Sequence, residues 1–328
     1  MKVLIIQERG RNKGNLEYRE ALNMHRALSR LGVDSVVWGL NYSNFKTPFN
    51  EISKGCDAIL LLENYEINNW LPNLSRFRGL KIFWSIDSHC VPQQHIKVCD
   101  KHKINLVLNA VYGHEKYFKQ KCVYFPNAYP DDLINPIKGI EKSVDIGFCG
   151  NWNNRQEWIM HMDKNGINVK KDIKVIGDEM VKRINTYKIH FNRNIGDDIN
   201  FRTFETMGCD TFLLTNKTSG LEELFTIGEN IIVYDDKKDL VEKVKYYLEN
   251  DLERQEISKK GYVHVKRNHT YLNRAKQLVK IIKAQVTLSI PYHFDQFCDI
   301  VDQKLRYKST SLVEVIILKS FLSILFYN

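Results

Sequence analysis

The sequence lacks the cysteine pattern of a disulfide-stapled or zinc-binding protein. Its seven cysteines are scattered and include no C-x-x-C pair, and most stand in apolar runs, where a free thiol behaves as a small hydrophobic side chain. The chain runs from Met1 straight into VLII, without the apolar segment and small-residue cleavage site of a signal peptide. We therefore expect a reducing compartment and a cytoplasmic location.

Motifs of several enzyme classes are also missing. The chain contains no G-x-S-x-G elbow and no H-E-x-x-H, so hydrolase functions gain no support. Neither G-x-G-x-x-G nor the Walker A order occurs after the first predicted strand, which argues against a dinucleotide or ATP site there.

What the sequence does contain is the composition of a folded protein of two domains. It has 328 residues, of which 43% are hydrophobic and 27% charged, and no long low-complexity tract. The first 140 residues contribute +6 of the net charge of +9. This excess is mild evidence for an anionic partner, and the alternative is a basic surface that is merely solvated.

Short apolar runs alternate with amphipathic stretches, which is typical of βαβ units and parallel sheets. Between the first two runs, Tyr18–Leu31 has helical spacing and is followed by Gly32 as a stop signal. The predicted strands are Val3–Ile6, Ser35–Trp38, Ala58–Leu62, Lys81–Ile86, Leu106–Leu108, Val123–Phe125, Asp145–Cys149, Lys174–Ile176, Ile189–Phe191, Thr211–Leu214 and Ile231–Tyr234.

Two prolines near residues 125–132 interrupt this pattern, which resumes only at Val144. We predict a Rossmann-like domain over residues 1–130, a linker over 131–143, a second Rossmann-like domain over 144–290 and a helical tail over 291–328. The apolar part of the tail, Leu312–Tyr327, is shorter than the roughly 20 residues of a transmembrane helix. We expect the tail to pack on the body, and peripheral membrane contact stays open.

The densest polar run is Asn192–Cys209, which follows a predicted strand. Its asparagines, glycine and aspartates favour a loop, after which Phe201–Met207 can form a helix. Such a loop lies at the carboxyl end of a parallel strand, where open α/β sheets bind ligands. Arg202 and Glu205 would share one helix face, where arginine can bind a diphosphate and a carboxylate can accept hydrogen bonds from ribose hydroxyls. The alternative is an ordinary ion pair on a solvated face.

Two further loops follow predicted strands. Phe148–Arg155 contains Gly150 and places Arg155 close to the next helix, so that backbone N–H groups and the helix dipole could bind a phosphate. The alternative is a tight turn with a surface arginine. Glu8–Asn15 is basic and could hold an acceptor or the far end of a donor, or could be a solvated turn.

Candidates for acid/base work follow the strand Lys81–Ile86. Asp87 and His89 stand at a strand end, where carboxylates and imidazoles often transfer protons. The alternative is that Asp87 or Ser88 caps the following helix.

A helix over residues 94–102 would bring His95, Cys99 and His102 to one face. Their spacing matches no familiar zinc pattern, so we favour a buried helix face over a zinc site.

The second half of the sequence resembles the CgeB-like, or spore-maturation-type, group of GT-B glycosyltransferases. The similarity extends from Val144 to about Lys280, and includes Tyr187–Asn192, the block from Asn200 to Thr215, Ser219–Phe225 and His269–Tyr271, in the order and spacing of that group. The first half is similar only in Trp84–Asp87 and in the Phe-Pro-Asn-Ala-Tyr-Pro-Asp run.

The resemblance implies an α/β protein of GT-B architecture, with two Rossmann-like domains facing across a cleft. It implies a metal-independent glycosyltransferase that needs no bound metal and no resident cofactor. The donor would be a nucleotide sugar, UDP-sugar above all, with retention of configuration favoured. Glu205 would bind the ribose, and Arg155, Arg202 and the Gly150 turn would lie near the diphosphate. Relatives carry a second glutamate eight positions before Glu205, where this chain has Asp197. The expected donor-binding residues are Gly150, Arg155, Asn192, Asp197, Arg202, Glu205 and Ser219.

The acceptor stays open at this level. It could be a glycan, a protein or a nucleic acid, with the first domain on the acceptor side. A rival hypothesis is a non-catalytic nucleotide- or carbohydrate-binding protein that shares the fold without the turnover.

Overall fold

The structure is a computed structural model that describes residues 1–64 and 70–285. The chain divides into two compact units, residues 1–279 and 280–328, and the first contains both β-sheets. Of the second unit, only the helical residues 280–285 are described. The predicted tail, residues 291–328, lies outside the described residues, and the predicted domain boundaries remain predictions. Within the described ranges, no helix is long and apolar enough to cross a bilayer.

Every strand pairs in parallel with its neighbours. The strands are β1 Lys2–Ile6, β2 Asp34–Trp38, β3 Ala58–Leu62, β4 Leu80–Ser85, β5 Leu106–Asn109, β6 Lys121–Tyr124, β7 Val144–Gly150, β8 Lys170–Ile173, β9 Tyr187–Phe191, β10 Phe212–Asn216 and β11 Ile232–Tyr234.

The helices lie between and after these strands. They are α1 Glu20–Arg30, α2 Phe49–Ile52, α3 Pro92–His102, α4 Gln156–Lys164, α5 Gly177–Thr186, α6 Phe201–Gly208, α7 Leu221–Leu224, α8 Lys237–Glu249, α9 Asp251–Asn268 and α10 at residues 271–285. A 3₁₀ helix, Lys13–Tyr18, precedes α1.

The two sheets have the order β2-β1-β3-β4-β5-β6 and β11-β10-β9-β7-β8. Each order reverses once, between β1 and β3 and between β7 and β9. Open α/β sheets bind ligands in the crevice at such a reversal, outside the carboxyl ends of the strands. All five residues of β3 are buried, as expected of a parallel strand covered by helices on both faces. The α/β architecture with two Rossmann-like sheets is confirmed.

The segment between the two sheets is anchored by the start of α10. Arg274 is buried, and its guanidinium donates hydrogen bonds to the carbonyl oxygens of Pro126 and Asn127 at 2.6 and 3.1 Å. Tyr271 N–H donates to the carbonyl of Tyr129, whose own N–H donates to the carbonyl of His269. The chain leaving the first sheet is therefore held by a helix that follows the second.

Two details differ from the sequence prediction. The strand predicted at Lys174–Ile176 is wrong: β8 is Lys170–Ile173, and Lys174 ends it with a positive φ of 59°. β8 is an edge strand with three exposed residues among its four, so it lacks the apolar run that marks the inner strands. Helix α9 was not predicted, because its buried residues, Arg254, Ile257, Gly261 and Val265, include only two large apolar side chains.

Candidate active site

A cavity of about 300 Å³ lies where the crevices of the two sheets face each other. The first sheet's side contributes the 3₁₀ helix and the start of α1, and the second contributes the ends of β7 and β9 and the first turns of α6. Of the predicted donor-binding residues, its wall contains Gly150, Arg155, Asn192, Arg202 and Glu205. Its volume is at the lower end of the range of roughly 300–1,000 Å³ for small-molecule sites.

Arg202 and Glu205 lie on one face of α6, as predicted. The Arg202 guanidinium donates to Glu205 Oε2 at 2.7 Å, and the two side chains are only 19% and 15% exposed. Arg202 also contacts the Met180 sulfur. The ion pair that the alternative interpretation expected is therefore present. The helix face that carries it lines the cavity, however, and is not openly solvated.

Arg155 is held by backbone carbonyls at the start of α4. Its Nε and Nη2 donate to the carbonyl of Arg193 at 3.2 and 2.9 Å, and Nη1 donates to that of Asn153 at 3.2 Å. Burial, followed by the nearby Arg193, lowers the pKa of Arg155. No carboxylate among the described residues is bonded to this guanidinium. A fixed cation without a bonded counter-charge suits an anionic ligand.

The loop between β9 and α6 is shaped by amide and hydroxyl side chains. Asn192 is 4% exposed, and its amide nitrogen lies 3.2–3.3 Å from oxygen atoms of Asn194, Asn200, Thr203 and Thr215. Asn200 also caps α6, since its side chain accepts from Thr203 N–H. These bonds fix the path of the loop beside the cavity.

Asp87 and His89 lie beyond this loop, outside the wall of the cavity. The Asp87 carbonyl accepts from the N–H groups of Cys90 and Val91 at 2.9 and 3.1 Å. Val91 is the N-cap of α3 and no side chain caps that helix, so the predicted alternative of an Asp87 or Ser88 cap is wrong. Burial raises the pKa of Asp87 and lowers that of His89. The turn that carries Asp87 and His89 lies close to the second domain, because a Cβ placed on Gly196 of that domain would lie 3.7 Å from the His89 ring.

Comparisons with known proteins agree with this architecture. Residues 131–280 match the family described as glycosyl transferase-like. Sucrose-phosphate synthase from Thermosynechococcus elongatus superimposes with a TM-score of 0.63 and 10% identity, over 87% of this chain and 99% of that one. An α-glucosyltransferase in complex with UDP-glucose and DNA containing an abasic site gives 0.62 and 11%, over 86% and 99%. The β-glucosyltransferase of phage T4 gives 0.60 and 15%, over 86% and 99%. No curated protein matches the sequence.

Residues 131–280 therefore form a glycosyl transferase-like domain, and the described structure has a GT-B fold. The prediction that it is a glycosyltransferase with two Rossmann-like domains is confirmed at this level. The narrower CgeB-like grouping is not decided by these comparisons.

The remaining predicted donor-binding residues of the glycosyltransferase lie apart from the cavity. Ser219 Oγ donates to Asp197 Oδ1 at 2.8 Å, and His114 Nε2 lies 3.9 Å from the other Asp197 oxygen. Asp197 and Ser219 thus pair with each other at the domain interface, and their donor-binding role stays a prediction.

Sequence reasoning missed two acidic residues near Asp87. Asp198 is 8% exposed, and its Oδ1 has no hydrogen-bond partner among the described residues. Burial, then the Asp87 carboxylate, raises the pKa of Asp198 to about 7. Glu63 follows β3 as Asp87 follows β4, so the rule that strand ends carry function could have found it. The sequence alone does not show which of Asp197 and Asp198 is buried, because loops lack the periodic pattern that distinguishes inward-facing from outward-facing residues.

Helix α3 carries the three residues considered above as possible zinc ligands. His95, Cys99 and His102 are buried, as predicted. His95 Nδ1 lies 2.8 Å from Ser85 Oγ, and His102 Nδ1 accepts from the N–H of Leu74. Across residues 1–64 and 70–285, no cluster of three potential metal ligands was found.

Several exposed cations of the first half lie at the amino ends of the strands of the first sheet. Exposed cations precede β3, β4 and β5 and precede or begin β6, and the amino ends of parallel strands share one edge of the sheet. They are Lys54, Arg76, Arg78, Lys103, Lys119 and Lys121. The crevice lies at the opposite edge, where the loop Glu8–Asn15 contributes further basic residues. The charge excess therefore does not by itself indicate an anionic acceptor at the active site.

Proposed function

We propose that this glycosyltransferase transfers a sugar from a UDP-sugar bound in the cavity between its two domains. The observation that carries the proposal is the convergence of Arg155, Arg202 and Glu205 on one cavity at the carboxyl ends of β7 and β9. The choice of uridine is supported by similar folds whose structures contain UDP-glucose or UDP. The motif blocks given above support placing the chain in the CgeB-like group.

In this proposal the second domain holds the nucleotide. Glu205 accepts hydrogen bonds from the ribose hydroxyls through the oxygen that does not bind Arg202. Arg155 and the Gly150 turn face the diphosphate, which leaves with negative charge as the glycosidic bond breaks. Fixed positive groups and helix N-termini stabilise such charge without reorganising during the reaction.

The acceptor enters from the first domain, where Asp87 or His89 takes the proton of its hydroxyl group. His89 Nδ1 is buried without a hydrogen-bond partner among the described residues, and its lowered pKa keeps the ring neutral and able to accept a proton. Retention of configuration stays a prediction, and the class of acceptor and peripheral membrane contact stay open. A cytoplasmic location is supported by the free thiols of the six described cysteines.

The test is to incubate the pure protein with UDP-, GDP- and ADP-sugars and to measure release of nucleoside diphosphate. A transferase should hydrolyse at least one of them slowly, with UDP-sugars preferred. Thermal stabilisation by a nucleotide sugar without any turnover would favour the rival, a non-catalytic binding protein.

A further inference from the structure

Glu63 lies beneath the turn that carries Asp87. Its Oε1 accepts hydrogen bonds from the backbone N–H groups of both Ile86 and Asp87, the latter at 2.6 Å. The same oxygen is 3.2 Å from His95 Nε2. One carboxyl oxygen therefore joins the end of β3, the end of β4 and helix α3.

His95 continues this contact into the core. Its Nδ1 lies 2.8 Å from Ser85 Oγ, and burial lowers the pKa of His95 to about 4, so the ring is neutral near pH 7. A neutral imidazole has one donor and one acceptor nitrogen. With Ser85 donating to Nδ1, Nε2–H donates to Glu63, and all three donors point at the same carboxyl oxygen.

We propose that Glu63 is a positioning residue that fixes the direction of the Asp87 side chain by holding the two peptide N–H groups of its turn. The inference rests on the proposed function and commits it to Asp87 as the group that takes the proton of the acceptor hydroxyl. Two adjacent N–H groups bound to one oxygen leave the peptide planes little freedom to rotate. Loss of that oxygen would leave both peptide N–H groups without their hydrogen-bond partner and free the turn to move.

The pKa of Glu63 depends on the charges around it. The titratable groups that face Glu63 are Asp87 on the turn after β4, Glu20 on α1, His95 on α3 and the Cys90 thiol. Burial, then the Asp87 carboxylate, raises the pKa of Glu63 to about 8 in spite of the two donated N–H bonds. Near pH 7 the group is mostly protonated and presents a neutral carbonyl-like oxygen to the turn. Above pH 8 it becomes a second negative charge beside Asp87.

Glutamine copies the protonated form of Glu63, because its carbonyl oxygen accepts the same bonds without titrating. Glu63→Gln should therefore keep kcat within about threefold at pH 7 and should lose any change in kcat that the wild type shows around pH 8. Glu63→Ala should lower kcat at least tenfold while leaving the KM for the donor nearly unchanged, because the donor cavity lies elsewhere. Asp172→Asn is the matched control: this carboxyl is 8% exposed and accepts from the Tyr187 hydroxyl in the other sheet.

A second readout is independent of activity. Two infrared bands of protonated carboxyl groups are expected near neutral pH, because burial raises the pKa of Asp198 to about 7 and that of Glu63 to about 8. The Glu63 band should disappear from the wild type as pH rises through about 8 and should be missing in Glu63→Gln, which keeps the Asp198 band. In Asp87→Asn the Glu63 band should disappear at lower pH, since a neighbouring charge is gone. An unchanged kcat in a folded Glu63→Ala protein, or the same infrared titration in Glu63→Gln, would overturn the inference. A wild type with no turnover of any donor would refute the proposed function, and the infrared titration would still test the Glu63 contacts.

Discussion

Changing Glu205 to glutamine separates a ribose contact from a merely structural ion pair. The carboxylate is 15% exposed, and one of its oxygens is bonded to Arg202 at 2.7 Å. The residue lines a cavity of about 300 Å³, and in the proposal its other oxygen binds the ribose. Hydrogen bonds to a charged group contribute about 1.5–3 kcal/mol. Glu205→Gln should therefore raise the Kd of uridine by roughly 10- to 150-fold.

The same factor should apply to UDP, because the ribose is common to both ligands. Isothermal titration calorimetry with uridine and UDP measures the two constants directly. The change also replaces one partner of a partly exposed ion pair, which costs at most about 1 kcal/mol of stability. A thermal melt of the ligand-free protein checks that its stability falls by no more than this amount.

Asp239→Asn provides the matched control. Asp239 pairs with Lys243 at the same N···O distance of 2.7 Å, with side chains 27% and 31% exposed, on a helix outside the cavity. It should lose similar stability and no nucleotide affinity. If Glu205→Gln behaved like this control, with unchanged Kd values for uridine and UDP, the ribose assignment would be refuted.

Three further predictions address the diphosphate site, the domain contact and a half-buried lysine. Arg155→Ala should weaken UDP much more than uridine in the same titration, because its proposed partners are phosphate oxygens; an equal loss of both would indicate a disturbed loop instead. Gly177→Ala should lower the melting temperature and nucleotide affinity together, since φ is +62° and the new Cβ would be 1.9 Å from the Gly14 carbonyl oxygen across the cleft; unchanged values would show that this contact is dispensable. Burial lowers the pKa of Lys142 from 10.5 to about 8, so the unfolded chain binds its proton more tightly and stability should rise with pH between 8 and 10.5. In Lys142→Met this part of the rise should vanish from urea unfolding curves, and a curve identical to the wild type would contradict it.

Much of the fold could be predicted from apolar runs, because inner parallel strands are buried on both faces. Ala58–Leu62 was predicted with its observed bounds. The edge strand β8 and helix α9 were misplaced or missed for one reason: most of their residues are exposed, and an exposed element carries little hydrophobic signal.

The candidate site was predictable where a residue follows a strand or shares a helix face. Arg202 and Glu205 come together because i,i+3 spacing is a property of the helix itself. Asp198 and the contact between Glu63 and the Asp87 turn depend on how loops fold and on which strands are neighbours. Such contacts join residues distant in sequence, and periodicity carries no information about them.

The central claim is that UDP occupies the cavity between the two domains. A crystal structure of the protein with UDP bound tests it most directly. The account predicts ribose hydroxyls within hydrogen-bond distance of Glu205 and diphosphate oxygens in contact with Arg155 beside the Gly150 turn. A nucleotide bound elsewhere, or bound in the cavity with its diphosphate turned away from Arg155, would contradict it.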